Sequence, residues 1–172
     1  YFEKSAEYGN VHAKYQLARI YLKQEKEKLE AGQPAEEEKV RQAIAWLTEF
    51  ADQGNDFAAY ALGSLYLEGV LTERDTSKAI LYLTQAADQN HVYAQLRLGK
   101  LYLTEECQDI TKAIHYLKLA ANQGNSFAAY RLGRLYLLGE QVQKNVEQAV
   151  RYLLQSADAG NSYAQYAIGK LY

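Results

Sequence analysis

The sequence predicts an all-α chain built as a row of antiparallel helix-turn-helix repeats. Three observations predict it. A glycine- or asparagine-led dipeptide recurs at Gly9-Asn10, Gly54-Asn55, Asn90-His91, Gly124-Asn125 and Gly160-Asn161, at intervals of 45, 36, 34 and 36 residues. Around each of these anchors, residues of one kind return at helical offsets rather than strand offsets. Proline occurs once, at Pro34, which leaves long stretches free to be helical.

The offsets place the elements in order. Eight residues before each anchor stands an aromatic residue: Tyr1, Trp46, Tyr82, Tyr116, Tyr152. Four after it stands Ala13, Ala58, Ala94, Ala128 or Ala164, and eight after it Leu17, Leu62, Leu98, Leu132 or Ile168. A small residue follows (Ala18, Gly63, Gly99, Gly133, Gly169), and three further on comes Tyr21, Tyr66, Tyr102, Tyr136 or Tyr172. Glycine at the anchor can take a left-handed conformation and end one helix, a role asparagine fills best after glycine, as at Asn90. The next asparagine can cap the following helix. A second break ends at Asp75, Asp109 and Asn145, each four residues before an alanine, where acidic or amide side chains suit an N-cap.

First helices are therefore expected near 11–31, 56–68, 91–104, 126–138 and 161–172, and second helices near 35–53, 76–89, 110–123 and 146–159. Residues 1–8 read as the tail of an earlier second helix. The whole is one repeat domain, 1–172, with repeats at about 9–53, 54–89, 90–123 and 124–159, and 160–172 as the first helix of a fifth. The chain contains no methionine, so it reads as an excerpt of a longer polypeptide. Such short helices are marginal alone and must draw stability from stacking. The recurring glycine inside the first helices costs about 1 kcal/mol against alanine, so close packing should return at least that much. The four tyrosines Tyr21, Tyr66, Tyr102 and Tyr136 are assigned to packing.

The first repeat is longer by nine residues. Its segment 23–39 reads KQEKEKLEAGQPAEEEK, which predicts a hairpin with two lengthened helices. Gly32 stops one, Pro34 suits the first position of the next, and Glu36, Glu37 and Glu38 suit its positive end. The charge-rich composition makes it a solvated projection, or alternatively a secondary docking knob.

Composition narrows the function. The apolar share of 48% supports an ordered core, and a net charge of −2 supplies no broad field for nucleic acid or an anionic membrane. No apolar run approaches a membrane span. Cys107 is the single cysteine, so no disulfide can form within the chain. That favours the cytoplasm and leaves the periplasm open. His12, His91 and His115 lack the spacing of a helical zinc pair, and Cys107 beside Glu105 and Glu106 is poorly placed for an activated thiolate. No phosphate-binding loop or enzyme signature is found, and no cofactor or metal is expected.

The stretches 58–69 (AAYALGSLYLEG), 128–139 (AAYRLGRLYLLG) and 112–125 (KAIHYLKLAANQGN) resemble the Sel-one-like repeat (SLR) family, a subclass of the tetratricopeptide-type helical repeats. The resemblance spans nearly the whole chain. It implies a right-handed αα-superhelix, or solenoid, that serves as an adaptor, as relatives do in bacterial signalling, secretion and envelope proteins and in eukaryotic quality control. Two departures stand out: the first-repeat insertion, and the missing glycine near Glu105. Some secreted relatives pair cysteines across each repeat, which this chain cannot do.

The resemblance also implies that the first helices line a concave face. Seven residues after the anchor stand Gln16, Ala61, Arg97, Arg131 and Ala167; ten after it stand Arg19, Ser64, Lys100, Arg134 and Lys170. Stacking would align Arg97, Lys100, Arg131, Arg134 and Lys170 into a basic stripe flanked by Tyr130 and Tyr166. Such a stripe suits carboxylates or an acidic, extended peptide. The leading expectation is thus a non-catalytic scaffold that binds a protein or acidic peptide. The alternatives are a recruitment region of a larger bacterial enzyme, such as a plasmid-mobilisation protein, and an envelope protein that binds or hydrolyses carbohydrate. Nucleic acid is not an expected partner. Weak self-association is expected through the terminal helix, where Ile168, Leu171 and Tyr172 leave an apolar face bare.

Overall fold

The computed structural model describes residues 11–171, and among them there is helix, turn and loop but no strand. The expected tail helix at 1–8 lies outside the described residues, as do Tyr1, Gly9, Asn10 and Tyr172 and the side chain of His12. The helices are α1 (Val11–Glu30), α2 (Glu37–Asp52), α3 (Asp56–Glu68), α4 (Thr76–Asp88), α5 (Val92–Leu101), α6 (Ile110–Asn122), α7 (Ser126–Leu138), α8 (Val146–Asp158) and α9 (Ser162–Gly169). The fold class is the all-α repeat superhelix. The chain forms two compact units, one ending at His91 and the other beginning at Val92.

The capping residues read from the sequence set the helix starts. Asn55, Asn125 and Asn161 accept hydrogen bonds from the amides of Ala58, Ala128 and Ala164. Asp75, Asp109 and Asn145 do the same for Lys78, Lys112 and Gln148. The Asp75 and Asp109 carboxyls are held below the usual carboxylate range, first by those backbone amides. Asp75, Asp109 and Asn145 also donate their own amides to the carbonyl of the preceding repeat-position tyrosine, Tyr66, Tyr102 or Tyr136, at 2.9–3.0 Å.

Second helices end in a left-handed residue. Gly54, Gly124 and Gly160 have φ of +87°, +85° and +84°, and Asn90 fills the role at +64°. The next residue's amide reaches back to the last turn, as in Asn125 to the Ala120 carbonyl at 3.0 Å, which satisfies carbonyls that the helix end would otherwise orphan.

Within each hairpin a leucine on the second helix fills the space left by the glycine on the first. A Cβ added at Gly63 or Gly133 would lie 2.7 Å from the Cγ of Leu83 or Leu153, and at Gly99 2.6 Å from that of Leu117. These leucines are fully buried. The tyrosines stack on the aromatic of the partner helix: Tyr66 on Tyr82, Tyr102 on Tyr116 and Tyr136 on Tyr152, with centroids 6.0–6.1 Å apart and planes within 9°. Tyr21 meets Trp46 at 6.1 Å. Only Tyr102 of the four is fully buried; the others are half-buried, because the stack lies at the end of the hairpin.

Three expected boundaries shift. The last helix, expected to run to 172, ends at Gly169 with a turn at 170–171, so Leu171 lies outside it. The other two shifts have a clear local cause. First, α5 ends at Leu101 rather than at 104 and gives way to a 3-10 turn, Glu105–Cys107. In α3 and α7 a left-handed glycine, Gly69 or Gly139, closes the helix by donating to Leu65 or Leu135. Glu105 stands at that position here, so the chain leaves the helix earlier, and the Thr104 hydroxyl donates to the Leu101 carbonyl at 2.6 Å. Second, α2 begins at Glu37, so Pro34 is not its first residue. The buried Glu25 carboxylate fixes the start instead: one oxygen accepts the Glu36 amide at 2.7 Å and the other accepts Lys28 at 2.8 Å. Lys28 also reaches Glu36, which Lys39 pairs in turn. The insertion is an ion-paired hairpin closed at Gly32 (φ +74°).

Candidate partner-binding site

The second unit contains a groove of about 240 Å³ lined by Leu103, Leu135 and Leu138 together with Arg131, Arg134, Glu140 and Gln141. Leu103 belongs to the turn after α5, and the arginines lie one turn apart on α7. Their side chains share a face because residues three apart on a helix are neighbours. Both arginines are exposed. Among the described residues neither forms an ion pair.

The expected stripe is brought together in part. Arg131 and Arg134 line the groove. Arg97 is half-buried and Lys100 exposed, both on α5 and neither lining it. Tyr166 and Lys170 lie on and just after α9, both exposed. A pairing appears that the residue spacing encoded: the cation ten residues after the anchor sits over the tyrosine four residues before it. Arg134 lies 6.0 Å from the Tyr130 ring centroid, Lys170 4.7 Å from Tyr166, and Arg19 5.7 Å from Tyr15. Tyr130 in addition contacts Tyr163, ring centroids 6.0 Å apart. The tyrosines hold the cations along the helix surface, at little cost in desolvation.

The first unit carries a groove at the equivalent place, about 270 Å³, lined by Leu22, Lys23 and Lys26 of α1, by Ala61, Ser64, Leu65 and Glu68 of α3, and by Val70 and Leu71. Its lining is almost wholly apolar. Sequence reasoning missed these residues and, in the second unit, Leu103, Leu138 and Glu140. A signal was present in the columns 14 and 17 residues after each anchor, which differ between repeats (Lys23, Glu68, Thr104, Leu138 and Lys26, Leu71, Cys107, Gln141), but not in the column at 13, which is leucine in all four.

Other chemistry is sparse. Among the described residues no group of three or more His, Cys, Asp or Glu is placed to hold a metal ion. No described helix is long and apolar enough to cross a membrane. Cys107 is a half-buried free thiol in the 3-10 turn. His91 is 8% exposed, stacked on Tyr60 at 4.5 Å and edge-on to Phe57 at 5.2 Å. Burial holds its imidazole below the usual histidine range, against the pull of Asp56.

Comparison with known proteins gives the same architecture. A protective antigen of uropathogenic Escherichia coli displaying an SLR fold is 31% identical, with a TM-score of 0.76; the match covers 99% of this chain and 35% of that one. A Sel1 repeat protein from Oxalobacter formigenes is 28% identical, with a TM-score of 0.74, over 95% of this chain and 64% of that one. The chain thus spans about a third of the first and just under two thirds of the second. Cysteine-rich protein B of Helicobacter pylori shares the fold at 22% identity and a TM-score of 0.56, over 76% of this chain and 96% of that one. No curated protein matches the chain. The profile of the family described as Sel1 repeat matches residues 11–55, 56–91, 92–125 and 126–161. Four consecutive matches, each containing a first helix, a second helix and the turns that cap them, make this chain a member of the Sel1 repeat family.

Proposed function

We propose that the chain is a non-catalytic docking array and that the second unit's groove receives an acidic peptide segment of a protein partner. Proteins of this family generally serve as protein-interaction scaffolds, typically without catalysis. What carries the finer reading is the pair Arg131 and Arg134: exposed, without a carboxylate partner among the described residues, and lining an open groove with three leucines. Guanidinium groups beside apolar surface bind carboxylates bidentately, and partial desolvation strengthens each contact. The leucines would receive an apolar side chain of the same segment. Lys100, Arg97 and Lys170, with Tyr130 and Tyr166, extend the basic character along the first helices, which line the concave face in tetratricopeptide-type relatives.

The test is the double substitution Arg131→Ala/Arg134→Ala. An immobilised library of acidic peptides containing leucine or phenylalanine is screened against the 172-residue chain, and the best binder is titrated against both proteins. Loss of binding, with helicity and melting unchanged, supports the reading. Binding retained by the double variant, or selection of neutral peptides from the library, places the site elsewhere.

A further inference from the structure

We propose that the second unit carries an aromatic strip, on α7 and α9, that seats a phenylalanine or tyrosine side chain of the partner segment two residues away from the carboxylate taken by Arg131 and Arg134. The inference rests on the acidic-peptide reading of the basic groove and adds what stands beside the carboxylate.

The strip begins with a repeated position. Three residues after the anchors at Gly54, Asn90, Gly124 and Gly160 stand Phe57, Tyr93, Phe127 and Tyr163. The alanine that follows each one is fully buried, yet these rings are 57–65% exposed. Apolar residues scattered singly on a surface are ordinary, but adjoining rings on neighbouring helices mark a contact surface. On α7 and α9 they adjoin. Tyr130 meets Tyr163 with ring centroids 6.0 Å apart, and Tyr166, one turn beyond Tyr163, is 66% exposed. Arg134 and Lys170 cover Tyr130 and Tyr166, whereas among the described residues no cation lies over Phe127 or Tyr163. Those two rings are open to a ligand ring, and aromatic pairs in offset or edge-on contact gain more than their buried area alone provides.

The first unit uses the same position differently. Phe57 and Tyr60 pack on His91, and Ala61 and Ser64 stand where the second unit has Arg131 and Arg134. The first unit holds fifteen aspartates and glutamates against ten lysines and arginines; the second holds six against nine. Open rings and an excess of cations thus coincide in the second unit, and the partner complementary to it carries both a ring and negative charge.

The spacing follows from the helix. Phe127, Tyr130, Arg131 and Arg134 share one face of α7 because they recur at offsets of three, four and seven. The middle of the ring pair is therefore about 6 Å along the axis from the middle of the arginine pair. An extended chain covers that distance in about two residues, and side chains two apart point the same way. Adjacent side chains point to opposite sides and cannot serve both zones.

The probes are N-acetyl-Gly-Phe-Gly-Glu-Gly-amide and its reversed order, N-acetyl-Gly-Glu-Gly-Phe-Gly-amide. They are titrated into the isotope-labelled 172-residue chain and followed by NMR at Phe127, Tyr130, Tyr163 and the two arginines. Saturable shifts at roughly millimolar concentration are expected for at least one order. Affinity should fall about fivefold when the probe's Phe becomes Ala, or when Phe and Glu are made adjacent. Phe127→Ala/Tyr163→Ala should abolish the preference for Phe over Ala and keep that for Glu over Gln. Its melting temperature should match the parent's, since both rings are more than half exposed. Phe57→Ala, the same position in the first unit, should leave binding unchanged. The inference is overturned if neither order saturates, if the alanine or adjacent probe binds as tightly, or if the Phe127/Tyr163 double variant binds as the parent does. It is also overturned if Phe57→Ala weakens binding as much, or if the same shifts appear with protein concentration alone, which makes a second copy the occupant. Preference for Glu without preference for Phe overturns it and leaves the basic groove standing. Preference for Phe without preference for Glu overturns the acidic reading, and the two-residue spacing with it.

Discussion

The two grooves occupy the same place in the repeat and share only two lining leucine positions, Leu22 with Leu103 and Leu65 with Leu135. Elsewhere Ala61 stands against Arg131, Ser64 against Arg134, Glu68 against Leu138, Val70 against Glu140 and Leu71 against Gln141. The hairpins beneath them are nearly the same: glycine against leucine, tyrosine against tyrosine, and an asparagine or aspartate at each capped start. The lesson is a division of labour along one helix. Positions facing the partner helix are held by packing, since a methyl group too many is felt in a close-packed interior. Positions facing the groove carry no such duty and are free to specify a ligand.

The largest expected effect comes from giving the second groove the side chains of the first. Arg131→Ala with Arg134→Ser should lower affinity for an acidic peptide by about a hundredfold, or about 3 kcal/mol, in calorimetric titration. The far-ultraviolet dichroism should not change. A loss of less than about threefold would mean that the two grooves do not differ in what they bind.

The framework itself should respond alike in both units. Gly63→Ala and Gly133→Ala each drive a methyl group against a leucine Cγ, and each should cost about 1–3 kcal/mol in denaturant unfolding. Gly133→Leu should cost no less. Unequal costs for the two alanine variants would show that the hairpins are less alike than their geometry. A smaller loss, about 1 kcal/mol, is expected for Asn125→Ala, which removes the side-chain acceptor of the Ala128 amide.

The smallest effect separates the units by pH. The position that Asn125 and Asn161 fill in the second unit is His91 in the first, 8% exposed between Phe57 and Tyr60. Its folded-state pKa is depressed, chiefly by burial, so the unfolded chain takes up the proton first. The first unit's stability should therefore be full above about pH 6.5 and decline as pH falls below it, towards the folded value. Amide hydrogen exchange in α3 and α4 at pH 7.5 and 5.5, both about one unit from that midpoint, measures this. His91→Asn should flatten the response.

Much of this was legible in the sequence because the signals are local. Gly54, Asn90, Gly124 and Gly160 mark chain reversals through a backbone conformation that few other residues adopt, and Asp75, Asp109 and Asn145 mark helix starts through one short hydrogen bond. The failures were also local in origin. Pro34 suited a helix start, but a carboxylate eleven residues away, Glu25, set the actual one. The absence of glycine at Glu105 was noticed, yet its consequence depended on which substitute closed the helix, and Thr104 did. The same absence in the first repeat let α1 run on to Glu30.

By itself the sequence determined the repeat, the helices and the caps, because each depends on residues close together or recurring at a similar spacing. Tertiary structure decided the rest: that Arg131 and Arg134 open onto leucines from two elements, that the prolonged α1 walls an apolar groove, and that Tyr130 on one helix meets Tyr163 on the next first helix. The physical reason is that a groove is the space left between neighbouring helices. Its chemistry is set by whichever side chains packing leaves unused, and only their assembled positions reveal which those are.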